Sequence, residues 1–198
     1  HPNTVRQVTE PLPDPGRLTE LERLRADGTA FVPLTRKRMT FEPVVDREFR
    51  QLFDKACDRI HYAGSCHRVG RLLRLALVLD GEWAGGTVLG SPFPNIKARD
   101  HAFGLTAHTH GYRERGLISP WASENRPYWD GLQLIVNHAR TFIFPKFQGA
   151  GLGVSALGML PKEGRKLWES RYDTDVIGFD THCTSPTSKL FLDNGWRL

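Results

Sequence analysis

The 198-residue sequence predicts an α/β fold, and three observations predict it. Asp46 to Tyr62 is an amphipathic helical stretch, and a hairpin signal follows it across Asp80-Gly81. A long β-rich run, Leu132 to Phe144, then leads through Pro145 into a glycine-rich turn and a helix start. A further strand and helix follow. Strands and helices therefore interleave along the chain, the pattern of a central sheet flanked by helices.

Residues 1–16 read as a polar, proline-bearing tail that lacks the charged-then-apolar order of a secretion signal. Leu18 to Ala26 has a short helical pattern, with Thr19 and Glu22 spaced as a capping signal. We therefore read 1–29 as tail and short helix and 30–198 as the folded domain. Ala30 to Leu34 is the expected first strand, and Phe41 to Val45 extends an irregular linker. In the next helix Asp46 is the natural N-cap, and Phe49, Leu52, Phe53, Ala56 and Ile60 share one face. Leu72–Leu79 and Trp83–Leu89 are β-rich runs joined by the Asp-Gly pair of tight hairpins.

Residues 91–130 break this rhythm with four prolines and read as a long insertion before the longest strand, although Ala102 to Thr109 has some strand character. After the glycine turn, Gly151 to Leu160 reads as a helix interrupted by Pro161, and Lys162 to Tyr172 as its continuation. Asp175 to His182 is another strand. Ser185 to Asn194 closes as a helix, with Ser185 at the N-cap, Pro186 at the first helical position and Gly195 past the end.

Hydrophobic content of 39% and charged content of 25% are those of an ordinary globular chain, and no apolar run reaches the ~18 residues of a membrane span. Cys57, Cys66 and Cys183 are odd in number and widely spaced, which argues for a reducing, cytoplasmic setting and against a disulfide scaffold. A net charge of +5 and a pI near 9.3 favour an anionic partner, either nucleic acid or a polyanionic cofactor. His101, His108, His110 and the Cys66-His67 pair follow no zinc spacing, so no metal is expected.

The stretch FIFPKFQGAGLG, Phe142 to Gly153, carries the chemistry. Glycines let a backbone approach a ligand closely, and successive N–H groups at a helix N-terminus suit a pyrophosphate. The bland reading is a helix start with turn glycines and no ligand. Neither a Rossmann nor a P-loop spacing is present. Gln148, Gly151 and Gly153 fit Gln/Arg-x-x-Gly-x-Gly/Ala, and this resembles the acyl-coenzyme A loop of the GNAT superfamily of N-acetyltransferases. The order of elements over residues 30–198 is similar to a GNAT domain as well.

That resemblance implies a mixed central sheet flanked by helices and acetyl-CoA or another acyl-CoA as cofactor. It also implies cofactor contacts from Phe142, Ile143, Phe144, Gln148, Gly149, Ala150, Gly151, Leu152 and Gly153. An N–H near Phe142 to Phe144 would face the developing oxyanion. Two departures stand out. In KLFLDNGW, Phe191 falls where the family often carries a general-acid tyrosine, and it has no hydroxyl. Leu198 comes directly after the last helix, where the family usually adds two strands; these lie beyond Leu198 or the fold is completed differently. KARDHAFGL (97–105) with VNHARTFIFP (136–145) also resembles GNAT-related proteins of phage and phage-defence systems, including Mom-type DNA adenine-modification proteins. This implies DNA as an acceptor.

For a base that deprotonates an amine, Asp180 and His182 stand two apart on one strand face. The alternative is a solvated strand end. His138, on the long strand, faces the acceptor cleft or is structural. Cys183 points opposite His182 and reads as a buried thiol rather than a nucleophile. In the insertion, Arg99 and Asp100 with Lys97, Arg113, Arg115, Trp121, Tyr128 and Trp129 form either an acceptor-binding wall or a solvated loop with aromatic caps.

Overall fold

A computed structural model describes residues 39–64, 70–105, 126–148, 151–182, 189–192 and 194–196 of the chain. The expected strand at Ala30–Leu34 and the helix at Leu18–Ala26 lie outside these residues, as do Trp121, Gly149, Ala150 and Cys183. Among the described residues no helix is long and apolar enough to cross a membrane.

The protein is α/β, built on a mixed five-stranded sheet in the order β1-β2-β3-β4-β5 with helices on both faces. Strand β1 is Met39–Pro43, so the expected linker at Phe41–Val45 is instead mostly an edge strand. Its signal is short: Met39 and Phe41 are buried on either side of exposed Thr40, the two-residue period of a half-buried strand. Helix α1 spans Arg47–Ile60. As expected, Asp46 caps it, its carboxylate accepting the Phe49 amide at 2.8 Å. That bond holds the Asp46 carboxyl below its usual range. Strands β2 (Leu72–Leu79) and β3 (Glu82–Gly90) form the hairpin. Asp80 and Gly81 sit at φ 53° and 85°, the two left-handed positions of a tight turn.

Among the described residues the insertion holds two short helices, α2 (Lys97–Ala102) and α3 (Arg126–Leu132). The strand expected from Leu132 therefore starts later. Tyr128 and Leu132 are one helical turn apart and pack with Leu105 and Ile135, and that local burial pulls the first apolar residues of the run into α3. Strand β4 covers Ile135–Ile143. A 3₁₀ turn at Pro145–Phe147 leads to α4 (Leu152–Met159). The Pro161 interruption is a wide π turn over Leu160–Gly164, after which α5 runs Arg165–Tyr172. Strand β5 is shorter than expected, Gly178–Thr181. Helix α6 is described over Lys189–Leu192. Gly195 follows it at φ 78°, and the Trp196 amide returns to the Phe191 carbonyl at 3.2 Å, a Schellman-type ending.

Strands β1 to β4 are antiparallel, and β5 joins β4 in parallel over four pairs only, Ile135↔Gly178 through His138↔Thr181. Helix α1 packs on one face through an aromatic cluster. Phe53 meets Phe142 edge-on at 5.0 Å and stacks with Trp83 at 6.3 Å, and Trp83 meets Phe144 at 4.7 Å. The contact leaves no room at Gly86. A Cβ there would lie 2.3 Å from the Phe53 ring and 3.0 Å from Phe142. We expect Gly86→Ala to destabilise the fold by about 1–3 kcal/mol through overpacking. Urea unfolding checks this as a lower midpoint with an unchanged slope.

Candidate functional site

Register places the site. Asn137 of β4 pairs with Asp180 of β5, and β5 is started by the Ile177 amide bonding to the Leu134 carbonyl at 2.8 Å. The ring of Phe103, just beyond α2, fills the space above Gly178 and brings the insertion against β5. Six side chains then meet on one face: Arg99 and Asp100 of α2, Tyr128 of α3, Asn137 of β4, and Asp180 and His182 at the end of β5.

Arg99 organises them. Its Nε and one terminal nitrogen donate to Asp100 Oδ1 at 2.9 and 2.5 Å. The other terminal nitrogen donates to the Phe93 carbonyl at 2.5 Å and to Asp180 Oδ2 at 3.2 Å. Asp180 Oδ1 accepts from Asn137 Nδ2 at 2.5 Å, and the same nitrogen lies 3.4 Å from His182 Nδ1. The Tyr128 hydroxyl accepts the Asn95 amide at 2.7 Å and donates to Asp100 Oδ2 at 3.3 Å. Arg99, Asp100, Tyr128 and Asn137 are buried, Asp180 is half-buried and His182 is exposed. One guanidinium thus faces two carboxylates, and Asp180 is the one nearer the surface.

The expected residues separate into three groups. Arg99 and Asp100 do meet Asp180 and His182, but as buried, mutually paired groups rather than as a solvent-facing wall for the acceptor. His138 is held apart, its side chain on the opposite face of β4. Its Nδ1 is 3.1 Å from Thr181 Oγ1 and its Nε2 is 2.7 Å from Thr141 Oγ1, which in turn bonds Thr87 Oγ1 at 2.8 Å. The rings of Phe191 and Trp196 cover it at 5.7 and 5.9 Å. Trp121, Gly149 and Ala150 lie outside the described residues.

The loop residues form the third group. The Phe144 amide donates to the Ala84 carbonyl at 3.0 Å, and Phe142 pairs with Gly86. Both residues direct their amides at β3, so neither can supply an oxyanion donor. Alternation turns the Ile143 amide and carbonyl the other way, toward the side where β5 has already ended. Gln148 donates its side-chain amide to that carbonyl at 2.8 Å. Gly151 is the N-cap of α4 at φ 73°, a left-handed position that favours glycine. A Cβ at Gly151 or Gly153 would meet nothing within 4 Å. Among the described residues no side chain caps the first amides of α4.

Asn137 and Asn95 were not legible as site residues. An isolated asparagine in a β-rich run signals nothing until the register sets it against a carboxylate.

Two outcomes are expected. Arg99→Met leaves Asp100 and Asp180 without their cation and lowers stability by about 3–5 kcal/mol, measured by urea unfolding. Burial raises the Tyr128 phenol above its ordinary value near 10. Its neutral form is favoured by folding, so this stabilisation is complete below pH ~10 and is lost as the pH rises through the raised value. Absorbance titration near 295 nm should show one late-ionising phenol that disappears in Tyr128→Phe.

Compared with protein-family models, with curated proteins and with solved structures, the chain matches none.

Proposed function

We propose that the protein is an N-acyltransferase that moves an acyl group from acyl-coenzyme A to an amine. The observation that supports this reading most is the opening between β4 and β5. Among the described residues the two strands pair over four residues, and alternation along β4 points the Ile143 amide to the β5 side. Farther along the chain, a Cβ at Gly151 or Gly153, at the start of α4, would meet nothing within 4 Å. A thioester arm needs such an open strand edge, and a pyrophosphate needs such a helix start. Coenzyme A would supply the activated acyl carbonyl.

The chain's own residues take the other roles. The Ile143 amide, about 17 Å along the sheet from Asn137, would donate to the arm of the coenzyme rather than to its reacting carbonyl. The backbone amides of Leu152 to Val154 in the first turn of α4 would hold the pyrophosphate. Asp180 and His182 stand beside each other at the end of β5, on the acceptor side, where the surplus carboxylate charge beside Arg99 can receive the proton that a neutral amine sheds as it attacks. The finer version, with a DNA base as the acceptor, rests on the basic net charge and on the 91–130 insertion.

A second reading is a nucleic-acid-binding protein, of the phage-defence kind, that keeps the architecture without transfer. One observation favours it: the Phe191 ring packs on His138 and Trp196, and no hydroxyl stands at that position to protonate a leaving thiolate.

Calorimetric titration with acetyl-coenzyme A separates the two. The parent protein should bind. Gly153→Asp should abolish binding while leaving thermal stability intact, because an acidic residue in the first helical turn suits the helix dipole and repels a pyrophosphate. No binding by the parent sinks the acyltransferase reading. Salt-dependent DNA binding without coenzyme A affinity would put the second reading first.

A further inference from the structure

Acyl transfer needs one group to take the amine proton, and Asp180 and His182 are the two candidates at the end of β5. The side chain between them distinguishes their roles. Asn137 is 0% exposed, and its amide nitrogen carries two hydrogens and offers no lone pair. One hydrogen goes to Asp180 Oδ1 at 2.5 Å. The other faces His182 Nδ1 at 3.4 Å. Turning the amide over would set its oxygen against the Asp180 carboxylate, so repulsion fixes this orientation. A ring nitrogen that faces an N–H presents its lone pair, and the neutral imidazole then carries its hydrogen on Nε2. The ring plane is braced as well. Phe93 meets His182 edge-on at 5.6 Å, and the Phe93 carbonyl is held by the same guanidinium that bonds Asp180.

We propose that Asn137 is a positioning residue that divides the work, holding Asp180 as the proton acceptor and His182 as a hydrogen-bond donor through Nε2–H. The chemistry rests on the acyltransferase reading; the tautomer is a property of the protein alone. In the step, the amine nitrogen bonds to the thioester carbonyl carbon and its proton passes to the Asp180 carboxylate. The carbon–sulfur bond then breaks, and the thiolate leaves with that electron pair. His182 takes no proton. Its Nε2–H donates to an acceptor atom elsewhere on the amine's molecule, so it contributes to binding.

Two-bond ¹⁵N–¹H correlation spectra of the histidine rings test this, recorded at about pH 8.5, above the ordinary imidazole range. The His182 signal is identified by its loss in His182→Gln. The expected result is a hydrogen on Nε2 in the parent protein and a switch to Nδ1 in Asn137→Asp, whose carboxylate accepts from the ring. A parent ring protonated on Nδ1, or a mixture of tautomers, overturns the proposal even if Asn137→Asp does not fold. Once transfer is measured, Asp180→Asn should lower kcat by roughly 10²–10⁴-fold. His182→Gln should raise KM about tenfold, the equivalent of one lost hydrogen bond. The reverse split, with kcat falling in His182→Gln and KM rising in Asp180→Asn, overturns the assignment. A parent that binds no acetyl-coenzyme A sinks the acyltransferase reading, and the tautomer still decides the role of Asn137.

Discussion

Among the described residues strand β4 pairs along Asn137–Ile143 on one side and along Ile135–His138 on the other, and the rest of the molecule is arranged around that offset. Backbone amides and carbonyls cannot be left dry and unpaired. Where β5 ends, the β4 edge must meet water, a side chain or a ligand. Gln148 meets one group of that edge, the Ile143 carbonyl. The same place marks a change of layer. On one face the insertion docks α2 and α3, and on the other Phe191 and Trp196 cover His138. Both polar clusters flank the last paired rows, Asn137↔Asp180 and His138↔Thr181, and adjacent residues on a strand send them to opposite faces.

These two clusters solve the same problem by different means. Around Arg99 the charges are full, and a buried guanidinium is tolerated because its planar fork reaches two carboxylates and a carbonyl together. Lysine has no such geometry. Around His138 there is no salt bridge among the described residues. Threonine hydroxyls from β3, β4 and β5 meet the ring system instead, and a hydroxyl can donate or accept as its neighbour requires. The first cluster therefore has a fixed charge pattern and a defined orientation, as a reacting site needs. The second is a brace of hydroxyls around an imidazole that ties three strands together beneath Phe191 and Trp196.

The sequence revealed what local chemistry determines. The Asp46 cap, the apolar face of α1, the Asp80-Gly81 turn, the interruption at Pro161 and the ending at Gly195 each rest on residues within a turn of one another, and each stands where the pattern placed it. What was misread depends on distant partners. Phe41 to Pro43 look like linker until β2 supplies the other half of the ladder. Leu132 looks like strand until Leu105 and Ile135 bury it as part of a helix. Of the site, Asp180 and His182 were visible because alternation along one strand is enough to put them together. Arg99 and Asp100 were visible as a charged pair, but their burial was not, since it depends on α2 folding onto β5. Asn137 was invisible for the same reason: its meaning lies in a parallel pairing 43 residues away in the chain.

One further detail concerns the other end of the sheet. Strand β1 pairs with β2 only from Leu75 onward, so Leu72 turns its amide and carbonyl toward an uncovered edge. The Tyr172 hydroxyl occupies that place, accepting from the Leu72 amide at 3.0 Å and donating to its carbonyl at 2.9 Å, with the Arg71 guanidinium 5.4 Å from the centre of its ring. A single phenol thereby does what one residue of a neighbouring strand would do. A bare strand end of this kind is a template on which a second molecule can add its own strand and begin an aggregate. Here a helix from the same chain has already filled the position, so at this point the protein is guarded against self-association by a tyrosine rather than by charge.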